Sequence, residues 1–237
     1  MIQAVDEFIL FDDCQYTRRD WRNRNIIKTH QGSAWLTIPV KVKDKNKQSI
    51  CDVHVDNDKW VKNHLACFRH HYANAPYFSE MYPVIEEWYD ACHDEELLYR
   101  VNYCFLKNIC DTLEIRTDLT WSMDYGVEGE CATSKLLSLC MKSGATHYLS
   151  GPNARCYLDE SLFREKGIEV VWMSYDNYPE YNQVHPPFLH QVTVLDVLLH
   201  LGPEASLESI ARYSMDAERE DGVCGLVGAG CGSGDEV

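Results

Sequence analysis

The chain has 237 residues, 45% of them hydrophobic, and a formal net charge of −15. That is ample for a sizeable core and too acidic for nonspecific binding to nucleic acid or anionic membrane to be its main business. Eleven cysteines, with no Cys-x-x-Cys pair and no regular spacing to His, make neither a zinc signature nor a disulfide framework, and they read as reduced core residues of a cytoplasmic protein.

No apolar run is long enough to span a bilayer and the N-terminus carries no export signal, so membrane insertion is not expected. Met1 to Glu7 is too short to hold an element. Phe8-Ile9-Leu10-Phe11 predicts a short buried strand, and Asp12 and Asp13 stand where it ends, the place at which ligands collect in α/β sheets. Gln15, Arg18, Arg19, Trp21, Arg22, Asn23, Arg24, Asn25 and Lys28 follow, a loop rich in fixed donors that reads either as a binding loop or as a solvated basic turn. Tyr16 to Ile50 holds nine Lys/Arg against two Asp/Glu, a local +7 on an acidic chain that suits a small anionic ligand better than a duplex.

Further strands are predicted over Ala34–Val40, with Gly32 as the preceding turn, and over Cys51–Val55, separated by a charge run from Lys41 to Gln48. Asp56-Asn57-Asp58 then caps a helix from Lys59 whose spacing aligns Trp60, His64, Phe68 and His71, with His64 a core histidine rather than a ligand. Pro76 breaks that helix. Tyr77 to Ile115 gives one or two amphipathic helices with Ile85, Trp88, Leu97, Val101, Phe105 and Ile109 as the buried stripe.

Asp118 to Cys131 reads as a polar loop. Thr133-Ser134-Lys135 opens a helix stopped by Gly144, Thr146–Ser150 is a strand, Gly151-Pro152-Asn153 a turn, Ala154–Lys166 a helix closed by Gly167, and Ile168–Trp172 a strand. This alternation is the pattern of parallel crossover units. Pro186-Pro187 reads as an extended link, Val192–Leu201 as a final helix ending at Gly202-Pro203, and the glycine-rich stretch after it as disordered. The expected architecture is α/β: a mostly parallel, Rossmann-like sheet with flanking helices, a helical layer from about 57 to 115, one domain over 1–205 and a disordered tail over 206–237.

If both strands point the same way, the loops Asp12–Lys28 and Ser150–Asp159 converge on one crevice. The second loop would add Ser150, Gly151 with an open amide, Asn153, Arg155, Tyr157 and Asp159. Arginine forks with backbone amides suit phosphate or carboxylate groups. Asp12 or Asp13 would serve as base or metal ligand and His147 as proton shuttle, although adjacent carboxylates could simply cap the arginines and His147 could point into a core. There is no Gly-x-Ser-x-Gly elbow, P-loop or Gly-x-Gly-x-x-Gly, and neither a cofactor nor a metal is assigned.

Asp12-Asp13-x-Gln15-Tyr16-x-Arg18-Arg19-x-Trp21-x-Asn23-Arg24-Asn25-x-Ile27-Lys28 and Trp35-Leu36-Thr37-Ile38-Pro39-Val40 resemble the opening blocks of the WbqC-like family. Gly144–Pro152, Tyr157-Leu158-Asp159 and Gly167-Ile168-Glu169-Val170 resemble its second block, and Thr193-Val194-Leu195-Asp196 before Gly202-Pro203-Glu204 its closing block, with Thr193 where the family has Ser. The resemblance implies a bacterial protein tied to O-antigen and other surface-polysaccharide gene clusters. Family members open with a Gln-Pro-x-Tyr-x-Pro-Trp segment that this sequence lacks, so the domain is expected to be incomplete at its N-terminus.

The function expected from the residues and the resemblance together is a cytoplasmic transferase moving a group to or from a nucleotide-linked sugar or similar anionic metabolite. In it Arg22, Arg24 and Lys28 would hold the anion. Two other classes stay open: a non-catalytic protein that binds a glycan or a partner enzyme, and a nucleic-acid modifying enzyme suggested only by the basic segment and Trp21.

Overall fold

A computed structural model describes residues 1–42, 47–127, 132–175, 178–211 and 223–227. The centre of the Lys41–Gln48 charge run, Gly129 and most of the expected tail lie outside the described residues. The chain divides into two compact units: Met1–Cys14 with Ile115–Asp176 and Ala211–Val237, and Gln15–Glu114 with Asn177–Ile210.

The first unit carries the parallel sheet. Strands β1 (Glu7–Leu10), β4 (Asp118–Trp121), β5 (His147–Ser150), β6 (Glu169–Trp172) and β7 (Val223–Val227) lie in the order β4-β1-β7-β5-β6, every pairing parallel. Side chains alternate between two covered faces, which is why apolar residues follow one another at Phe8-Ile9 and Tyr148-Leu149. Ile9 and Tyr148 join one core cluster with Leu136, Leu139 and Cys140 of helix α4 (Ala132–Ser143) and Phe163 of α5 (Glu160–Glu165), while Phe8 and Leu149 join a second with Val5 and Met173. Gly144 at φ 72° and Gly167 at φ 74° take the left-handed conformation that lets each helix stop abruptly before the next strand.

The second unit is a two-stranded antiparallel hairpin, β2 (Arg24–Thr29) and β3 (Gly32–Thr37), together with helices α1 (Lys59–Tyr72), α2 (Phe78–Cys92), α3 (Leu98–Thr112) and α6 (Val194–Ala211). Trp60, His64, Phe68 and Tyr72 form the buried stripe of α1, met by Ile85, Trp88 and Tyr89 of α2 and by Leu98 and Val101 of α3. His64 is a satisfied core histidine: Nε2–H donates to the Thr37 carbonyl at 3.1 Å and Nδ1 accepts from the Tyr89 hydroxyl at 3.2 Å. Burial pushes its pKa down to about 4.

The expected α/β class, with its mostly parallel sheet, flanking helices and helical layer, is what the chain adopts. Local readings shift in several places, and the expected helix over Ala154–Lys166 resolves into a 3-10 turn, Pro152–Cys156, and the short α5. Arg24 to Lys28 is strand rather than loop, because the Ile26-Ile27 core of the segment pairs along its full length with Gly32–Thr37. Cys51 to Val55 is a 3-10 turn, Ile50–Asp52, followed by isolated bridges. Asp118 to Trp121 is the edge strand of the sheet. Val223–Val227, within the stretch read as disordered, pairs with both β1 and β5.

The last helix continues past Gly202, which breaks it at φ 73° and ψ 174°. A Cβ there would lie 2.6 Å from Cε1 of Tyr77. Gly202→Ala therefore meets both a backbone penalty and a ring in its way, and the expected loss is about 2–4 kcal/mol, read as a lower urea midpoint with unchanged slope.

Candidate active site

The parallel register of β1 with β4 sets Leu10 beside Trp121, so the residues just beyond both carboxyl ends must meet. Ser122, fully buried, does so: its Oγ lies 2.9 Å from Oδ1 of Asp12 and 2.7 Å from Oδ1 of Asp13. Lys135, one turn into α4, places Nζ 2.7 Å from Oδ2 of Asp13 and 5.2 Å above the Phe11 ring. Asp12 is 3% exposed and its Oδ2 is buried without a hydrogen-bond partner among the described residues. Asp13 and Lys135 keep part of their side chains in solvent.

One serine hydroxyl has one proton to give and two carboxyl oxygens within reach. It can serve only one of them fully at a time. Burial, assisted by the neighbouring Asp13 charge and opposed by hydrogen bonds from Ser122 and the main chain, leaves the Asp12 pKa above the ordinary carboxyl value. Asp13 is matched by the Lys135 ammonium. Two carboxyl groups side by side thus sit in different environments, one buried with an oxygen left unbonded and one facing a lysine and solvent.

The other expected site residues are placed as follows. Ser150, 1% exposed, and Gly151 follow β5 at the same carboxyl edge of the sheet. The carbonyl of Tyr157 accepts from Thr133 Oγ1 at 3.2 Å. Asp159 caps α5, accepting from the Ser161 amide and hydroxyl, which holds its pKa below the usual range. His147 opens β5 and so lies at the amino edge, beside Thr146 and Glu169 and about 10 Å along the strand from Ser150.

The first loop is divided between the units: Asp12 and Asp13 belong to the first, Gln15 to Lys28 to the second. Within the second, Gln15 is exposed and bridges Ser49. Arg22 pairs with Asp20 and Thr17, and Asn23 donates to the Ile38 carbonyl. Arg24 donates to the Arg19 carbonyl and stacks on Trp35. Asn25 accepts from the Ile26 amide, and buried Lys28 donates to the Pro187 carbonyl at 2.6 Å. Among the described residues no group of three or more His, Cys, Asp or Glu is arranged to hold a metal ion, and no helix is long and apolar enough to cross a membrane.

The sequence matches the WbqC-like protein family over residues 1–208. The chain belongs to the WbqC-like family. A relative in Mycobacterium tuberculosis (strain ATCC 25618 / H37Rv), the uncharacterized protein Rv1507c, is 42% identical over 208 residues, covering 86% of this chain and 88% of that one. No solved structure matches it.

This WbqC-like chain holds a second polar cluster, in its other unit, that sequence reasoning did not single out. Asp196, fully buried, accepts from Tyr72 at 2.7 Å through Oδ2 and from Tyr181 at 2.5 Å and Gln183 at 3.2 Å through Oδ1. His200 accepts the Val184 amide on Nε2, which fixes its proton on Nδ1, directed at the Asp196 carbonyl at 2.7 Å. Burial of Asp196 raises its pKa, but the hydrogen bonds from His200, Tyr181 and Tyr72 outweigh that and leave it below the ordinary value. The WbqC-like chain uses this network to tie residues 181–200 to Tyr72. Its sequence signal was the Thr193–Asp196 block, visible as a resemblance but not as chemistry.

Two outcomes follow from these opposite shifts. Asp12→Asn removes a group whose ionisation the fold disfavours, so stability at pH 7 is expected to rise by about 1 kcal/mol in urea titrations, the gain fading as pH falls through the raised folded-state value and vanishing below the ordinary Asp value, where both states are protonated. Asp196→Ala takes the acceptor from the hydroxyls of buried Tyr72 and half-buried Tyr181 and is expected to cost about 2–4 kcal/mol. For Asp196 itself, the contribution is fully present above the unfolded-state pKa and is lost as pH drops through the lower folded-state value.

Proposed function

We propose that this WbqC-like protein is a cytoplasmic transferase that moves a group to or from a nucleotide-linked sugar or similar anionic metabolite in surface-polysaccharide biosynthesis. The observation that carries the proposal is the Asp12–Ser122–Asp13–Lys135 cluster at the carboxyl edge of a parallel sheet, where open α/β sheets bind ligands. A buried carboxyl group whose pKa is raised, beside a carboxylate matched by a lysine, is suited to general acid–base work.

In this reading Asp13, the more exposed carboxyl, takes the proton from the acceptor hydroxyl as that oxygen bonds to the transferred group, while the bond from the group to the nucleotide phosphate breaks and the nucleotide leaves with the electron pair. Asp12 and Ser122 are positioning residues: they hold Asp13 in place and keep a proton ready behind it. Lys135 offsets charge on the anionic substrate, and Ser150 with Gly151, at the end of β5, binds through its main chain. Arg22, Arg24 and Lys28 are each bonded inside the second unit, so the anion is assigned to Lys135 instead.

The test is a thermal-shift screen of the full chain against UDP-, GDP- and dTDP-sugars, followed by assay of the variants. A sugar nucleotide present at about 100 times its dissociation constant is expected to add about 2.7 kcal/mol. Asp13→Asn should keep that shift and lose transfer by about 10²- to 10⁴-fold, while Lys135→Met should lose the shift. Full activity of Asp13→Asn, with binding intact, would remove Asp13 from the chemistry; binding without transfer by the parent chain would replace the enzyme by a glycan- or partner-binding protein, and absence of any shift would remove the nucleotide sugar.

A further inference from the structure

Four histidines meet on the second unit. His70 and His71 lie in the last turn of α1, His30 stands in the two-residue turn of the β2–β3 hairpin, and His185 comes from the segment that leads into α6. The rings of His30, His71 and His185 form a nearly equilateral triangle: centroids are 5.9 Å apart for His30 and His71, 6.1 Å for His30 and His185, and 6.4 Å for His71 and His185. His70 lies 4.6 Å from His71. One hydrogen bond ties the group together, from His185 Nε2–H to the His71 carbonyl at 3.0 Å. Burial, and then the charges of His70, His30 and His185, all of one sign, hold the His71 pKa below the ordinary imidazole value.

Among the described residues, the charged groups of the surrounding elements are engaged elsewhere. On α1, Arg69 turns to Glu86 of α2 at 3.6 Å. From β2, the Lys28 ammonium donates to the Pro187 carbonyl and adds to the positive side. From α6, Asp196 is taken by Tyr72, Tyr181 and Gln183, and His200 accepts the Val184 amide. Glu180 pairs with His190 at 3.7 Å, away from the triangle. We infer that the triangle is an acid-sensitive clasp: neutral, it holds residues 184–190 against the end of α1 and the hairpin turn, and protonated, its own repulsion drives them off. The dipole of α1 favours one positive charge on its last turn, so a first proton is tolerated. Further imidazolium ions at these separations repel one another strongly enough to overcome a single hydrogen bond. The ties to Asp196 hold the rest of the segment, so release is local. Because the His71 pKa is lower when the clasp is closed, the open form binds more protons; the clasp is firm above the ordinary imidazole value and weakens as pH falls through it. It shares no residue with the Asp12–Asp13 cluster and stands or falls apart from the transferase reading.

The test is hydrogen–deuterium exchange of the full chain at pH 7.5 and pH 5.5, with rates corrected for the pH dependence of the chemical step. Residues 184–190 are expected to exchange about tenfold or more faster in acid while α2 keeps its protection. His30→Gln combined with His71→Gln removes two of the charges and leaves the carbonyl of position 71 in place, so the double variant should lose most of that response. It retains His200, and an acid response that survives in it would come from the Val184 bond instead. A second reading is the imidazole proton titration of His71 by NMR, expected below the ordinary value. The inference is overturned if the segment is equally protected at both pH values, if the folded double variant opens as the parent does, if α2 opens together with the segment, or if His71 titrates at or above the ordinary value.

Discussion

The pairing of β1 with β4 is the constraint from which the candidate active site follows. In a parallel pair both carboxyl ends face the same edge, so once Leu10 is set beside Trp121 the residues that come next have nowhere else to go. Asp12 is carried into the interior because Phe8 and Ile9 anchor β1 in cores on both faces. A carboxyl group held there has two ways to survive, by a hydrogen bond or by a proton; Ser122 supplies the first for one oxygen, and burial shifts the balance toward the second. Lys135 then balances Asp13, the carboxyl that still reaches water.

Where the sequence had a strong period or a sharp stop, it could be read. The stripe of α1, the glycine stops after α4 and α5, and strands β5 and β6 are local features whose causes lie within a few residues. β4 was hidden because an edge strand of four residues with a polar start has no alternation to show, and with it went Ser122. β2 was hidden by its own chemistry: Arg24, Asn25 and Lys28 read as loop donors, whereas their main chain is paired and their side chains are spent on Trp35, the Ile26 amide and Pro187. Asp12 and Asp13 were legible because a strand end announces itself; their partners came from 109 and more residues away, a distance no local pattern encodes.

The two polar clusters solve the same problem in opposite ways. Asp196 is surrounded by donors from Tyr72, Tyr181 and Gln183, with the His200 ring against it, so its charge is stabilised and nothing is left over for a ligand. Asp12 has one good donor and one oxygen with none, so its charge is disfavoured. Saturation marks the first as a structural tie. The deficit at the second is what chemistry can use, because a group whose proton is loosely balanced responds to whatever arrives beside it.

The division of the chain has a consequence for how the protein is made. Residues 15–114 form most of one unit without interruption, whereas the sheet of the other is collected from segments on either side of them. During synthesis the contiguous segment can collapse while β1 is still without β4, and the strand that separates β1 from β5 emerges some 210 residues after β1. Once β4 has emerged one edge of β1 is still open until β7 arrives, so the ribosome releases the carboxylates of the site long before it releases the strand that completes the sheet behind them.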